Sequence, residues 1–228
     1  MLNCRLNIPN KVYLAFLLLF VFSSVKAQLS KKWDFTTTFQ VGYFTNYSDQ
    51  REELGDTAGI NYFTEPAYNY GLVVNKFLNR NYQIGLGANY ENRKFTANYY
   101  CTTCDSLTVK TDEIYDVNYL NIPLHLDFIL IEETSSLYCR LGVSTNFLLD
   151  GSRQQYNINN TLETAELPEQ LKNIQFDLII GFEYKLQMNE LVEWVLGVEY
   201  KQAMGSIMDD FTFKNKRYGL YSGLAFAF

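Results

Sequence analysis

The stretch Tyr218–Phe228 reads YGLYSGLAFAF and decides the fold. Alternate residues of a β-strand point to opposite faces of the sheet. One face of this stretch is apolar and carries Tyr218, Leu220, Leu224, Phe226 and Phe228. The other face carries Gly219, Tyr221, Gly223, Ala225 and Ala227. We therefore expect a strand that is apolar on one side and mostly small on the other.

Seven further segments alternate between apolar and polar residues with the same period of two. They span residues 33–44, 68–76, 82–95, 115–130, 137–149, 174–186 and 192–200. Short connections (79–81, 131–136 and 187–190) take turns with long polar ones (45–67, 96–114, 150–173 and 203–216). Outer-membrane barrels have short periplasmic turns and long external loops. The sequence therefore predicts an all-β fold, an eight-stranded antiparallel up-and-down transmembrane β-barrel.

The fourth segment changes the phase of its apolar residues. Tyr115, Val117 and Tyr119 are at odd positions, whereas the apolar residues from Leu120 onward are at even positions. One inserted residue would produce such a change, so the pattern predicts a β-bulge near residues 119–120. Pro123, which has no N–H group to donate, is consistent with an irregular ladder in this strand.

The start of the chain has the pattern of a cleaved signal peptide. A basic start is followed by an apolar run at residues 12–22 and by small residues up to Ala27. The apolar run is about half as long as a membrane-spanning helix. We expect residues 1–27 to be removed and residues 28–228 to form an outer-membrane β-barrel domain in a Gram-negative cell.

Alternation alone does not tell which face of a barrel is turned outward, because soluble barrels also alternate. The polar face is rich in glycine, which suits a crowded lumen better than a strand in water. Aromatic residues also collect at both ends of the apolar face, as at the two surfaces of a bilayer. The end near the short turns has Trp33, Tyr82, Phe128, Tyr184, Trp194 and Phe228, and the other end has Tyr43, Tyr68, Tyr90, Tyr200 and Tyr218. These features favour a membrane barrel over the alternative, a soluble ligand-binding barrel.

Charge and the chain end indicate the classes of partner. The chain has 19 basic and 25 acidic residues, and this balance argues against nucleic acid, which would need a basic surface. The expected partners are outer-membrane lipid, the outer-membrane insertion machinery through the terminal Phe228, and a protein at the acidic external loops. The acidic loop residues are Asp49, Glu52, Glu53, Asp56, Glu65, Glu163, Glu166, Glu169, Asp209 and Asp210.

The segment Tyr119–Phe128 (YLNIPLHLDF) resembles the YLEIPLL segment of PorT-like outer-membrane β-barrel proteins, with Asn121 where the family usually has Glu. The segment Phe176–Tyr184 and the glycine-punctuated final strand are also similar to this family. The resemblance implies a small eight-stranded barrel. It also implies a link to protein secretion and maturation at the cell surface, with which the founding member is associated.

Many charged residues fall on the polar, lumen-facing side of the predicted strands. They are Asp34, Glu91, Asp127, Arg140, Asp177, Glu183, Lys185, Glu193, Glu199, Lys201 and Arg217. The interior of an eight-stranded barrel is just wide enough for side chains, and buried charges need partners. We assign a lumen charge network to Arg140, Asp177, Glu183, Lys185, Glu193, Glu199 and Arg217. It predicts a polar plug without appreciable conductance, and a proton or ion path is the alternative.

Three other residues are candidates for chemistry. His125, the single histidine, lies beside Asp127 and would be the base of a lipid-modifying enzyme, although a structural role is the simpler interpretation. Cys101 and Cys104 in the second external loop predict a local disulfide in an oxidising compartment, with a redox or zinc site as the alternative.

The sequence as a whole favours an integral outer-membrane barrel without catalytic, cofactor or metal sites. Its expected role is structural or partner-binding, in secretion or surface assembly. The alternatives are an outer-membrane lipid-modifying enzyme that uses His125 and the soluble ligand-binding barrel.

Overall fold

The computed structural model describes residues 35–46, 50–53, 58–79, 81–101, 112–132, 135–156, 162–169, 171–206 and 216–227. Eleven strands occur in these ranges. They are β1 (Phe35–Asn46), β2 (Gln50–Glu53), β3 (Ala58–Thr64), β4 (Ala67–Phe77), β5 (Tyr82–Cys101), β6 (Glu113–Glu132), β7 (Ser135–Tyr156), β8 (Leu162–Ala165), β9 (Ile174–Gln187), β10 (Val192–Ala203) and β11 (Lys216–Ala227). Among the described residues, no helix is long and apolar enough to cross a membrane.

Eight of these strands form a closed antiparallel ring. Its order is β1, β4, β5, β6, β7, β9, β10 and β11, and each strand pairs with the next. The first and last strands pair with each other along their whole length, from Thr36 opposite Ala227 to Asn46 opposite Arg217. The ring therefore has no free edge, and the predicted eight-stranded barrel is confirmed.

The strands on one side of the barrel are much longer than the others. β5, β6 and β7 have 20, 20 and 22 residues, whereas β1 has 12 and β4 has 11. At about 3.3 Å per residue, the long strands extend roughly 25 Å further. The outer end of β5 pairs with β3, and the outer end of β7 pairs with β8. The short strand β2 pairs with β3. We call β2, β3, β8 and the outer ends of β5–β7 the outer extension.

The outer extension corrects the prediction that residues 45–67, 96–114 and 150–173 are long polar loops. Each of these ranges contains strand residues. These strands lack the row of lipid-facing apolar residues from which the membrane strands are predicted, because their outward face meets water. The extension lies at the end of the barrel opposite the short turns that join β4 to β5 and β9 to β10.

A bulge does lie at the predicted level, beside Tyr119, but the extra residue belongs to the neighbouring strand β7. Along β6 the inward residues stay at odd positions, and Tyr115, Val117 and Tyr119 are all buried. The register shift lies opposite, in β7, where Leu149 falls between Leu148, the partner of Tyr119, and Asp150, the partner of Asn118. The apolar residues of β6 change from odd to even positions because the apolar face of the strand is the inward one in the outer extension and the outward one in the membrane.

The polar face of the barrel is turned inward. In β9 burial alternates without interruption, so that Asp177 and Glu183 are at most 1% exposed, whereas Phe176 and Phe182 are 53% and 48% exposed. Such an arrangement is stable only where apolar side chains meet lipid instead of water. It excludes the alternative of a soluble barrel with its apolar face inward.

Aromatic rings surround the apolar belt at the end that leads into the outer extension. Cross-strand partners form ring pairs there, with centroid distances of 5.9, 5.0 and 4.9 Å. The pairs are Tyr43 with Tyr68, Tyr70 with Tyr90, and Tyr200 with Tyr218. At the opposite end Tyr82 contacts Phe128 at 5.3 Å. Trp33 and Phe228, which were predicted for that end, lie outside the described residues.

Candidate functional site

The inward-facing charged side chains fill the middle of the lumen. Among the described residues, the buried acids are Glu91, Asp127, Asp177, Glu183 and Glu199, and the buried bases other than histidine are Arg93, Arg140, Lys185, Lys201 and Arg217. They come from β5, β6, β7, β9, β10 and β11, because each of these strands turns every second residue inward. Five carboxylates and five cations give this charge network a formal charge of zero.

Arg140 is the centre of the part of the network nearer the short turns. Its guanidinium donates to both carboxylate oxygens of Asp127, at 2.9 and 3.2 Å, and to Glu183 Oε2 at 2.7 Å. It also donates to the Tyr221 hydroxyl at 2.9 Å, and that hydroxyl donates to Glu183 at 2.8 Å. Lys185 Nζ lies 3.4 Å from Glu183 Oε1. One arginine thus joins two carboxylates across the barrel.

Arg217 is the centre of the part nearer the outer extension. It contacts the carboxylates of Glu91 and Asp177. Arg93 Nε donates to Glu91 Oε1 at 2.5 Å, and its Nη2 lies 3.4 Å from Asp177 Oδ2. Lys201 Nζ lies 3.6 Å from the second oxygen of Glu91. Three cations therefore share two buried carboxylates in this layer, and Glu199 lies 3.5 Å from Lys201.

The sequence-predicted charged residues come together in this network, with two exceptions. Glu193 is only half-buried, near the start of β10, and Asp34 lies outside the described residues. Arg93 was missed, although it is fully buried and contacts four polar side chains. Its position two residues after Glu91, on the same face of the same strand, was the signal that could have found it.

Above the charge network the lumen becomes apolar. The buried side chains there are Ile60, Phe95, Ala97, Tyr115, Val117, Tyr119 and Leu171, with Leu148 and Leu167 packed against them. We call this set the apolar cap. Phe95 and Tyr115 stack with their ring centroids 4.7 Å apart. The Arg93 guanidinium lies 4.4 Å above the Tyr119 ring, so the cap rests directly on the charge network.

Residues of the segment between β8 and β9 belong to this cap. Leu171 is 4% exposed, and the Leu148 N–H donates to the carbonyl of Asn173 at 2.8 Å. Leu167 from the same segment packs on the cap as well. The segment thus adds apolar side chains to the cap at the outer end of the charge network.

Lumen-facing glycines provide the space for the large side chains of the neighbouring strands. A Cβ atom at Gly197 would lie 2.1 Å from Tyr221 Cζ, and one at Gly219 would lie 2.1 Å from the Phe44 ring. These close approaches require the absence of a side chain at both positions. The glycine-rich face predicted from the sequence is therefore the face that packs the interior.

His125 is buried among other lumen residues at the end near the short turns. Its Nε2 lies 3.2 Å from Asn75 Oδ1 and 3.4 Å from Asp127 Oδ2. A Cβ at Gly85 would lie 2.1 Å from the same nitrogen, so the ring fills the space above this glycine. The Asp127 carboxylate is shared with Arg140 and with Gln83, which donates at 2.7 Å. The histidine thus belongs to a packed polar cluster.

The other predicted sites lie partly outside the described residues. Cys101 is the last residue of β5, and Cys104 lies outside them, so their disulfide stays a prediction. Asp49, Asp56, Asp209 and Asp210 also lie outside them, whereas Glu166 and Glu169 are exposed near β8. Within the described ranges, no group of three or more His, Cys, Asp or Glu side chains is placed to hold a metal ion.

A known protein family matches most of the chain. Residues 56–209 match the family model described as outer membrane protein beta-barrel domain, and this range is more than half of the chain. The chain belongs to this family. Membership supports a location in the outer membrane, where the exposed apolar belt meets lipid.

Solved structures of similar shape are also outer-membrane proteins. OprG from Pseudomonas aeruginosa has a TM-score of 0.54 and 13% identity, over 87% of this chain and 98% of OprG. Neisserial surface protein A has a TM-score of 0.47 and 11% identity, over 86% of this chain and 97% of that protein. No curated protein matches the sequence. At this identity the likeness to OprG shows the fold alone.

Proposed function

We propose that this protein is a non-enzymatic outer-membrane barrel that holds the outer extension as a binding surface for a protein partner. The observation that carries the proposal is the neutral charge network, which fills the lumen and is covered by the apolar cap. An interior occupied by paired charges and apolar side chains favours a support over a pathway for a solute. It offers a stable support for the strands that stand outside the membrane.

The pairing within the network supports a plug over an ion path. Each of the five buried cations contacts at least one of the five buried carboxylates. A permeating ion would have to displace one member of such a pair, and an unpaired buried charge costs several kcal/mol. The network therefore favours a fixed structure over conduction.

The outer extension supports the binding role. β3, β5, β6, β7 and β8 form one sheet there, and the apolar cap holds it from the inside. The exposed acids Glu166 and Glu169, which follow β8, suit a partner with a basic surface. The similarity of Tyr119–Phe128 to PorT-like proteins adds secretion or surface assembly as the process in which we propose that it acts.

A conductance measurement tests the closed lumen. Purified protein in planar lipid bilayers is expected to give no steady single-channel current. The variant for comparison is Leu171→Ala/Arg93→Ala, which removes one side chain of the apolar cap and one of the charge network. It is expected to give brief single-channel currents. Steady currents from the unmodified protein would overturn the proposed plug.

A cross-linking experiment tests the binding role. A photoreactive amino acid at Glu166 is expected to capture a cell-surface or secreted protein in intact cells. The same group at Val198, which is 46% exposed on the apolar belt, is expected to capture only lipid. If both positions yield lipid alone, the binding role is wrong.

The competing enzymatic role would depend on His125, because its Nε2 lies 3.4 Å from Asp127. Purified protein is expected to leave phospholipid vesicles chemically unchanged, as measured by mass spectrometry of the extracted lipids. Deacylated or acyl-transferred lipid that disappears in a folded His125→Ala variant would show that the protein is an enzyme.

A further inference from the structure

A polar recess lies on the outside of the barrel at the base of the outer extension. It has a volume of about 410 Å³ and lies between β5, β6 and β7. Tyr90, Asn92, Asp116, Asn118, Asp150, Gly151 and Ser152 line it. This volume is in the range of small-molecule sites, which is about 300–1,000 Å³.

The recess lies where the lipid-facing belt ends. On β6 the outward residues change from Leu120 to Asn118 and Asp116, and on β7 they change from Leu149 to Asp150. Tyr90, which forms the edge of the recess, belongs to the ring of paired tyrosines at the same end of the belt. The recess is therefore level with the headgroups of the outer leaflet and with the saccharides that an outer membrane displays.

The polar side chains of the recess form a fixed array. Asn92 Nδ2 donates to Asp116 Oδ1 at 2.6 Å and to Asn118 Oδ1 at 2.8 Å, and Asn118 Nδ2 donates to Asp150 Oδ1 at 2.5 Å. These bonds engage Oδ1 of each aspartate, and the second oxygen of a carboxylate can accept from a ligand hydroxyl group. The extra residue in β7 at Leu149 brings Asp150 beside Asn118, which is a common use of a bulge.

An aromatic ring stands beside this array. Tyr90 packs on Tyr70 with a centroid distance of 5.0 Å, so the orientation of its ring is fixed. A rigid aromatic surface next to planar carboxylate and amide groups suits a sugar ring, which has apolar C–H faces and hydroxyl edges. The lining contains two carboxylates and no basic side chain, which disfavours phosphate and other anions.

We propose that the recess binds a neutral saccharide on the outer surface of the membrane. Its hydroxyl groups donate to Asp116 and Asp150 and accept from the second N–H of the Asn118 amide, and one face of the sugar packs on Tyr90. The proposal goes beyond the binding role described above. It rests on that role in one respect only, namely that the long strands extend from the external side of the membrane. The sugar belongs either to a membrane glycolipid or to a free surface polysaccharide.

Purified protein in phosphatidylcholine nanodiscs is the sample for the test. The first probe is a panel of immobilised neutral oligosaccharides, and the second is digalactosyl diacylglycerol added to the nanodiscs. We expect binding to at least one probe and a loss of at least tenfold in Asp150→Ala. Glu190→Ala, which removes an exposed carboxylate in the short turn between β9 and β10, is the matched control and should bind normally.

The two probes distinguish the two sources of the sugar. Binding to the immobilised panel supports a free polysaccharide, and binding only to the glycolipid in nanodiscs supports a membrane glycolipid.

If Asp150→Ala does not fold, as judged by heat-dependent mobility in SDS, Asp150→Asn replaces it, because it keeps the shape and removes the charge. The proposal fails if neither probe binds, or if Asp150→Ala and Glu190→Ala bind equally well. It also fails if a chelator abolishes binding and Ca²⁺ restores it, which would indicate a cation site. None of these results depends on the conductance or cross-linking outcomes.

Discussion

The two halves of the lumen use the same strands in opposite ways. In the half that crosses the membrane, β6 turns Asn121, His125 and Asp127 inward and leucines outward. In the outer extension the same strand turns Tyr115 and Val117 inward and the polar Asp116 and Asn118 outward. The alternation keeps its phase throughout, and only the chemistry of the two faces is exchanged.

The solvent outside the strand explains this exchange. Within the bilayer the outward face meets hydrocarbon, so apolar residues lie outside and the polar ones pair with each other inside. Beyond the bilayer the outward face meets water, and the hydrophobic effect moves apolar residues to the inside. β5 shows the same exchange, from Glu91 and Arg93 to Phe95 and Ala97 on its inward face. The position of the exchange therefore marks the outer surface of the membrane.

The largest expected effect is on the membrane half. Arg140→Ala leaves Asp127 and Glu183 buried without their shared cation, and loss of one partner in such a site costs about 3–5 kcal/mol. Urea unfolding in lipid vesicles, followed by the fluorescence of Trp194, would measure the loss for the whole barrel. Arg153→Ala is the control, because Arg153 is in the outer extension and its side chain is 26% exposed. A loss below 1 kcal/mol in Arg140→Ala would show that the network contributes little.

In the outer half we expect a smaller and local effect. Leu171→Ala leaves a cavity in the apolar cap, at a cost of about 2–3 kcal/mol to the outer extension. Hydrogen exchange should become faster in β3 and β8, while the barrel strands within the membrane stay protected. Leu196→Ala, on the lipid-facing belt, should change neither region. Equal loss of protection in both regions would mean that the two halves unfold as one unit.

The glycine packing gives a sharper test of the membrane half. Gly197→Ala places a methyl group against the Tyr221 ring, and such overpacking costs about 1–3 kcal/mol. Adding Tyr221→Ala should remove most of the extra cost, so the two substitutions will not be additive. Gly205→Ala is the matched control, because no atom lies within 4 Å of the added Cβ. Additive effects in the urea measurement would argue against the close contact.

The smallest expected effect is that of an exposed ion pair in the outer extension. Lys94 Nζ lies 2.9 Å from Glu65, and this hydrogen bond raises the pKa of Lys94 above its ordinary value of 10.5. A raised pKa means that the pair stabilises the folded state at neutral pH and that this stabilisation is lost as the pH rises beyond 10.5. Both side chains are more than a third exposed, so Lys94→Ala should cost at most about 0.5 kcal/mol. Proteolysis of the extension at pH 7 and at pH 11 would measure it, and a pH-independent difference would contradict the ion pair.

The membrane strands were predictable from the sequence, because their signal is local. An apolar residue at every second position, as in Ile174–Gln187, identifies a strand and its two faces without knowledge of its neighbours. The charge network was partly predictable for the same reason, since inward positions such as Glu183 and Lys185 follow from the same alternation. Its pairs were not, because Arg140 and Glu183 are 43 residues apart and meet only when the ring closes.

The outer extension shows the limit of this local reasoning. Strands β3 and β8 are short, and they are stabilised by pairing with β5 and β7, at positions that the sequence does not indicate. The change from odd to even apolar positions after Tyr119 predicts a bulge in β6 itself. The sequence does not show that the surroundings of the strand change there from water to lipid.

The amino-acid sequence by itself determined that the chain forms a barrel, how many strands close that barrel and which face meets lipid, because these follow from a period of two over segments of membrane-spanning length. Only the tertiary structure decided the partners of each buried charge, the apolar cap and the polar recess beside Tyr90. These depend on the register between strands distant in sequence, and that register is set when all eight strands pair at once.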